Sequence, residues 1–219
     1  LVPCYHQARI INKGLEMPVG ILNIGGISNI SLINSRDSFL GYDLGPGNGP
    51  MDKLVMSRIN VNMDYNGEIA SRGSVNKEIV NKLLNLKIFN QTYNASFDRE
   101  ILDKVCLEYT SKLNLEDALI TLIDFITDLI FRGVKKHSKK LKSIIVTGGG
   151  RKNKTLMHML NNKNKIRFSN IDYLGFDGDN FEAEAFGYLA VRSLFGLPLS
   201  WPTTTGVEKP LTGGVLFRP

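Results

Sequence analysis

Three glycine-rich turns are the parts of this sequence whose residue types and spacing suit an anion or a flat ligand. The first is Asn23-Ile24-Gly25-Gly26-Ile27-Ser28-Asn29. Adjacent glycines let backbone N–H groups approach an anion closely, so Gly25 and Gly26 between two strands can grip a phosphate. An ordinary hairpin turn satisfies the same pattern. The second turn, Gly41-Tyr42-Asp43-Leu44-Gly45-Pro46-Gly47-Asn48, feeds a helix that Asn48 can cap, so the helix N-terminus faces whatever lies above the turn. Asp43, at a strand end, can hold a metal-bound water or orient a hydroxyl, and can equally close an Asx-turn. The third is Thr147-Gly148-Gly149-Gly150-Arg151-Lys152-Asn153. Its three glycines leave room for an adenine against the backbone, or serve a tight strand-to-helix crossover. It is not a Walker loop, because no Gly-Lys-Ser/Thr follows. Further on, Asp179 and Glu182 have the spacing of a capping box, in which Glu182 bonds back to the backbone at the cap.

These turns need elements to position them. Residues 18–44 read as strands, with PVGILNIGG and ISNISLIN joined at Gly25-Gly26 and a third strand from Ser38 to Asp43. A helix follows from about Asn48, with Met51, Leu54, Val55 and Ile59 on one face. Helical spacing recurs at Ile79, Leu83 and Leu86, and Ser96 to Tyr109 is a further helix. Asn114 to Arg132 carries a wide apolar stripe: Leu115, Leu119, Leu122, Ile123, Ile126, Leu129 and Ile130. Asn114 fits its N-cap and Gly133 its end. Ser143–Thr147 reads as a buried strand, Asn153–Leu160 as a helix and Lys165–Phe168 as a strand. Asp179–Phe195 reads as a helix burying Ala183, Phe186, Ala190 and Leu194. Strands, then helices, then alternating strand and helix indicate a layered α/β domain.

The 219 residues and 42% hydrophobic content can build one core or two small lobes. No apolar run is long enough to span a membrane. LVPCYHQARI holds no charged leader with a long apolar run, so no signal peptide is expected, and a start at Leu1 rather than Met fits a piece of a longer chain. The net charge is +6, and the densest cationic cluster is Lys135, Lys136, Lys139, Lys140 and Lys142. Cations favour a helix C-terminus, and no aromatic residues interleave with these lysines, so they read as a solvated helix end rather than a nucleic-acid platform. Cys4 and Cys106 are two lone thiols, which suit a reducing compartment, and His6, His137 and His158 show no ligand spacing.

The joint order of strand–GG–strand, strand–D…GPGN–helix, long helices and strand–GGG–helix resembles the C-terminal half of the actin-like ATPase and sugar kinase superfamily. NIGGISNISL (23–32), GYDLGPGN (41–48), SFDRE (96–100), EDALITLIDF (116–125), TGGGRKN (147–153), EAEAFGYLAVRSL (182–194) and LPLSWPTTTG (197–206) resemble the anhydro-N-acetylmuramic acid kinases along the whole chain. The resemblance implies an actin-like (ribonuclease H-like) α/β lobe with a mixed sheet flanked by helices. It places Gly25, Gly26 and Asn29, with Asp43, Gly45, Gly47 and Asn48, near the phosphates of ATP. It places Gly148, Gly149, Gly150 and Asn153 near the nucleoside, and Glu182 against the sugar. In that family water opens the 1,6-anhydro ring while the freed 6-oxygen takes the γ-phosphoryl group of ATP, a step of cytoplasmic cell-wall recycling. ATP phosphates normally carry Mg²⁺, so that ion is expected with the nucleotide, and no metal ligand is assigned in this chain.

The family carries a preceding lobe with a first phosphate loop and a water-activating aspartate. Residues 1–219 are therefore expected to be the C-terminal lobe alone, with no catalytic residue of its own and negligible activity in isolation. Its expected partners are ATP, the anhydro amino sugar and the other lobe, with room for a homodimer. Neither nucleic acid nor membrane is expected. A lobe made to pack across a cleft is also expected to expose an apolar face. Two other readings share the motifs: a non-catalytic nucleotide-binding relic, and an actin-like structural ATPase.

Overall fold

The structure is a computed structural model that describes residues 1–90, 96–137, 141–163 and 165–217, with the side chains of Lys136 and His137 outside the description. Its centre is a five-stranded sheet in the order β3-β2-β1-β4-β5. The strands are β1 (Val19–Ile24), β2 (Ile27–Ser35), β3 (Ser38–Pro46), β4 (Ser143–Thr147) and β5 (Arg167–Asn170). β1, β2 and β3 form an antiparallel meander. β4 pairs parallel with both β1 and β5, with Asn23 opposite Thr147. The C-terminal ends of β1 and β4 therefore lie side by side, which brings Gly25–Gly26 and Gly148–Gly150 to one end of the sheet. β5 begins two residues later than the sequence suggests.

Alternation along the strands splits the core in two. Leu22, Ile24, Ile30, Leu32, Ile144 and Val146 face one way. They pack under α2 (Gly49–Ile59), α3 (Lys77–Leu84), α4 (Arg99–Thr110), α5 (Leu115–His137) and α6 (Lys154–Asn162). Val19, Ile21, Ile33, Phe39 and Ile145 face the other way, under α1 (Pro3–Lys13) and α7 (Phe181–Leu194). A short α8 (Pro202–Thr205) lies near the C-terminal end.

Leu119, Leu122, Phe125, Ile126 and Ile130 on α5 are completely buried. At roughly 1.5–3 kcal/mol each, these side chains gain free energy on the scale of a whole domain's net stability, before conformational entropy is charged against it. Asn114 caps α5 as expected, accepting the Asp117 N–H at 2.8 Å. The helix does not stop at Gly133, however; it continues to His137. The Leu44 side chain occupies the space that a Cβ on Gly133 would take, so this glycine lets β3 approach the helix rather than ending it.

Three further expectations change. α1 has no counterpart in the sequence reading, although Pro3 opens it and Gly14, with a φ of 67°, closes it. Ile59 lies exposed at the end of α2. α7 buries Phe181, Ala185 and Leu189, while Ala183, Phe186, Ala190 and Leu194, expected inside, face out. The helix is apolar on several sides, so its own periodicity does not choose between them. In the lysine cluster, Lys135 and Lys142 are exposed, and the side chains of Lys136, Lys139 and Lys140 fall outside the described residues.

Candidate functional site

The first two glycine turns are laced together by backbone bonds. Asn48 N donates to Gly25 O at 2.6 Å, and Gly47 and Gly49 donate to Gly26 O at 3.0 and 3.3 Å. The Ser28 hydroxyl donates to Gly45 O and Pro46 O. Asn48 occupies the N-cap position of α2, but its side chain does not cap; its amide donates to Ile24 O at 3.2 Å, tying the turn to the end of β1. The third turn joins them through Gly148. Its φ of 75° disfavours any side chain, and a Cβ there would stand 2.7 Å from Ile24 O. Gly150 packs directly on Ile24. The ends of β1 and β4 are thus in backbone-to-backbone contact.

Among the described residues, two cavities at this end are separated by Gly149, which lines both. The larger, about 260 Å³, lies between the strand ends and the starts of α1 and α7. Asn23, Asn29, Thr147 and Gly148 form its floor, Val2 and His6 one wall, and Gly178, Asp179, Phe181 and Glu182 the other. The smaller, about 150 Å³, is bounded by Asn48, Met51 and Asp52 of the α2 region, by Met63, Asp64 and Asn66, and by Lys152 and Asn153. Asn153 also caps α6, accepting the Leu156 N–H at 3.0 Å.

Electrostatics divide the walls. Arg151, only 6% exposed, donates to Gly148 O at 3.0 Å, Asp172 at 3.1 Å and Asp179 at 2.8 Å. Hydrogen bonds from Lys152 and Arg151 hold the Asp179 carboxyl down at about 2, so it stays ionised and engaged. That engagement removes the capping box: α7 starts after Asn180 without a side-chain cap, and Glu182 is left exposed on the cavity wall. Asp52, half-buried by the smaller cavity, has its carboxyl pushed up to about 6 by burial, with Arg99 opposing and Asp103 adding to the rise.

Of the residues singled out from sequence, Asn29, Gly148, Gly149 and Glu182 meet at the larger cavity, and Asn48, Gly149 and Asn153 at the smaller. Gly25, Gly26, Gly45, Gly47 and Gly150 build the backbone behind them. Asp43 lines neither cavity; it accepts the Phe97 N–H at 3.3 Å, and burial raises its pKa. His6, Asn23, Arg151, Asp52 and Asp64 were not singled out as site residues, and no local spacing marks them. Among the described residues no three His, Cys, Asp or Glu side chains converge to hold a metal ion, and no helix is long and apolar enough to cross a membrane.

The pattern described as anhydro-N-acetylmuramic acid kinase matches residues 1–219. The chain belongs to the anhydro-N-acetylmuramic acid kinase family. It is 41% identical to the kinase of that name from Methylorubrum populi over 219 residues, all of this chain and 57% of the relative. It is 39% identical to the one from Phenylobacterium zucineum, again over all of this chain and 58% of the relative. The chain therefore spans less than two thirds of the length of the curated relatives it matches. Among solved structures, the activator of the 2-hydroxyisocaproyl-CoA dehydratase from Clostridium difficile with bound ADPNP aligns with a TM-score of 0.50 at 15% identity, covering 86% of this chain and 69% of that one. The mixed sheet flanked by helices is the actin-like ATPase fold.

Proposed function

We propose that residues 1–219 form the C-terminal lobe of an ATP-dependent kinase acting on 1,6-anhydro-N-acetylmuramic acid in the cytoplasm. Water adds at the anomeric carbon, the 1,6-anhydro bond breaks, and the freed 6-oxygen takes the γ-phosphoryl group of ATP, leaving ADP and N-acetylmuramic acid 6-phosphate. The observation that carries this reading is the convergence of the Gly25–Gly26, Gly47–Asn48 and Gly148–Gly150 turns at one sheet end, beside two cavities that share Gly149. The nucleoside fits the smaller cavity against Gly149 and Asn153. The phosphates run along the hairpin side toward Asn29, and the sugar meets Glu182 in the larger cavity. A dinucleotide Rossmann reading lacks support, since the first turn joins antiparallel strands rather than a strand and a helix.

Phosphoryl transfer depends on positioning and on neutralising developing charge. In this chain Asn29 and the turn backbone position, and Glu182 accepts sugar hydroxyls through charge-assisted hydrogen bonds. Mg²⁺ would arrive on the nucleotide, supplying charge neutralisation at the phosphates. The water-activating aspartate belongs to the other lobe. The test is ATP-dependent phosphorylation of the anhydro sugar, followed by mass spectrometry. The full-length protein is expected to form the 6-phosphate, while residues 1–219 alone give negligible turnover. No product from the full-length protein, or kinase-typical rates from the isolated lobe, would overturn the reading.

A further inference from the structure

Resting on the kinase reading, we propose that His6 is a sugar-contacting residue of the larger cavity, acting as a neutral hydrogen-bonding group whose Nε2 meets a ligand hydroxyl. His6 sits in the first turns of α1, 3% exposed, and its ring stacks on Phe181 with centroids 5.4 Å apart and planes 15° from parallel. Its Nδ1 lies 2.7 Å from the hydroxyl of Ser31, itself buried in the middle of β2. Nε2 has no hydrogen-bond partner among the described residues, yet the ring forms part of the cavity wall with Asn23, Asn29 and Glu182. A buried imidazole serving only to fill space would satisfy both nitrogens internally or give way to Phe, because an unpaired buried polar atom is costly. Here Nε2 is not among the sealed, unpaired polar atoms, so it is reached from the cavity, where water or a ligand hydroxyl can pair with it.

The chemistry selects the ligand. Burial drives the imidazole pKa down to about 3, so at neutral pH the ring neither carries charge nor takes up a proton. It is therefore a recognition group and not a base. Ser31 can donate to Nδ1 or accept from it, which leaves Nε2 as donor or acceptor respectively. A sugar hydroxyl pairs with either form, whereas a phosphate or carboxylate oxygen pairs with only one. Glu182 on the same cavity supplies a second hydrogen-bonding side chain. His6 and Glu182 together make a pair of directional contacts suited to a polyhydroxylated ligand. Ser31 acts through His6 and is a positioning residue.

The test uses the full-length kinase and two ligands, the anhydro sugar and ADP, titrated separately by calorimetry. His6→Phe keeps the stack on Phe181 and removes the nitrogens. It is expected to weaken sugar binding tenfold or more, leave ADP affinity within twofold, and leave the melting temperature unchanged or higher. Ser31→Ala frees the ring and should weaken sugar binding by a smaller factor. In ¹⁵N-labelled wild-type protein, adding sugar should move the His6 Nε2 resonance more than Nδ1. Unchanged sugar affinity in His6→Phe, equal loss for sugar and ADP, or a stationary Nε2 resonance would each overturn the proposal. Wild-type protein that binds sugar through His6 but forms no phosphorylated product would defeat the kinase reading and leave this one standing. Wild-type protein that binds no sugar would defeat both.

Discussion

On one face of the sheet α5 buries Leu119, Leu122, Phe125, Ile126 and Ile130 completely, and its one buried acid, Asp124, is paired by Lys77 and Lys163. On the other face α7 buries Phe181, Ala185 and Leu189 and leaves Phe186, Val191, Leu194 and Phe195 in solvent. The second face also holds polar groups within its core, the His6–Ser31 pair and the Tyr5 hydroxyl that donates to Glu184 at 2.6 Å. The difference separates two tasks. The α5 face is finished and supplies the free energy that holds the sheet. The α1–α7 face is open, lines the larger cavity, and leaves an apolar flank exposed.

The sharpest way to break this comparison is to cut into each face. Phe125→Ala removes a fully buried ring that meets Phe89 edge-on at 4.9 Å. It is expected to cost about 3–5 kcal/mol in urea unfolding. A loss below about 1 kcal/mol would mean the α5 face is not where stability lies. Next in size, under the proposed function, Glu182→Gln in the full-length protein should raise KM for the sugar or lower kcat by about tenfold, with the melting temperature nearly unchanged. Wild-type kinetics would remove Glu182 from the site.

A pH experiment probes Asp52, half-buried on the α5 side of the sheet. The folded-state pKa of Asp52 is raised to about 6 by burial, so the folded protein holds that proton more tightly than the unfolded chain. Its contribution to stability therefore falls as pH rises from the ordinary carboxylate range to about 6, and stays unfavourable above. Asp52→Asn should stabilise by about 1 kcal/mol at pH 7.5, allowing for partial solvent screening, and by nothing measurable near pH 4. A gain that is equal at both pH values would place its cause elsewhere. Smallest in stability is Phe186→Ser with Leu194→Ser, expected to shift unfolding by no more than about 0.5 kcal/mol. Light scattering should show less self-association in the double variant, and unchanged scattering would mean that this flank is not an association surface.

The sequence carried the sheet well because its strands are short, β-branched and punctuated. Ser143–Thr147 is bounded by Lys142 and Gly148 and buried on both faces, so its limits agree with the structure to the residue. Helix ends were less legible. Gly133 reads as a stop only if Leu44, distant in sequence, is not known to press against it. α7 carries two apolar stripes at helical spacing, and tertiary packing, not periodicity, selects the one that faces Ile21 and Ile145. At the site, the glycine turns were visible because backbone approach demands a residue type at fixed places. His6 was not, because Ser31 and Phe181, which give it meaning, come from far along the chain. The capping-box spacing at Asp179 and Glu182 misled for the same reason, since Arg151 and Lys152 claim Asp179 first.

Arg151 joins parts of the cavity rim that the chain itself separates. Its guanidinium holds the Gly148 carbonyl on one side and Asp172 and Asp179 on the other. The turn after β4 and the approach to α7 therefore cannot separate without breaking a part-buried, charged bond. In amide hydrogen exchange, the protected N–H groups at Asn153 and Gly175, which close the turns on either side of this link, should open with a common rate rather than fraying independently. A ligand seated against either wall would slow exchange at both.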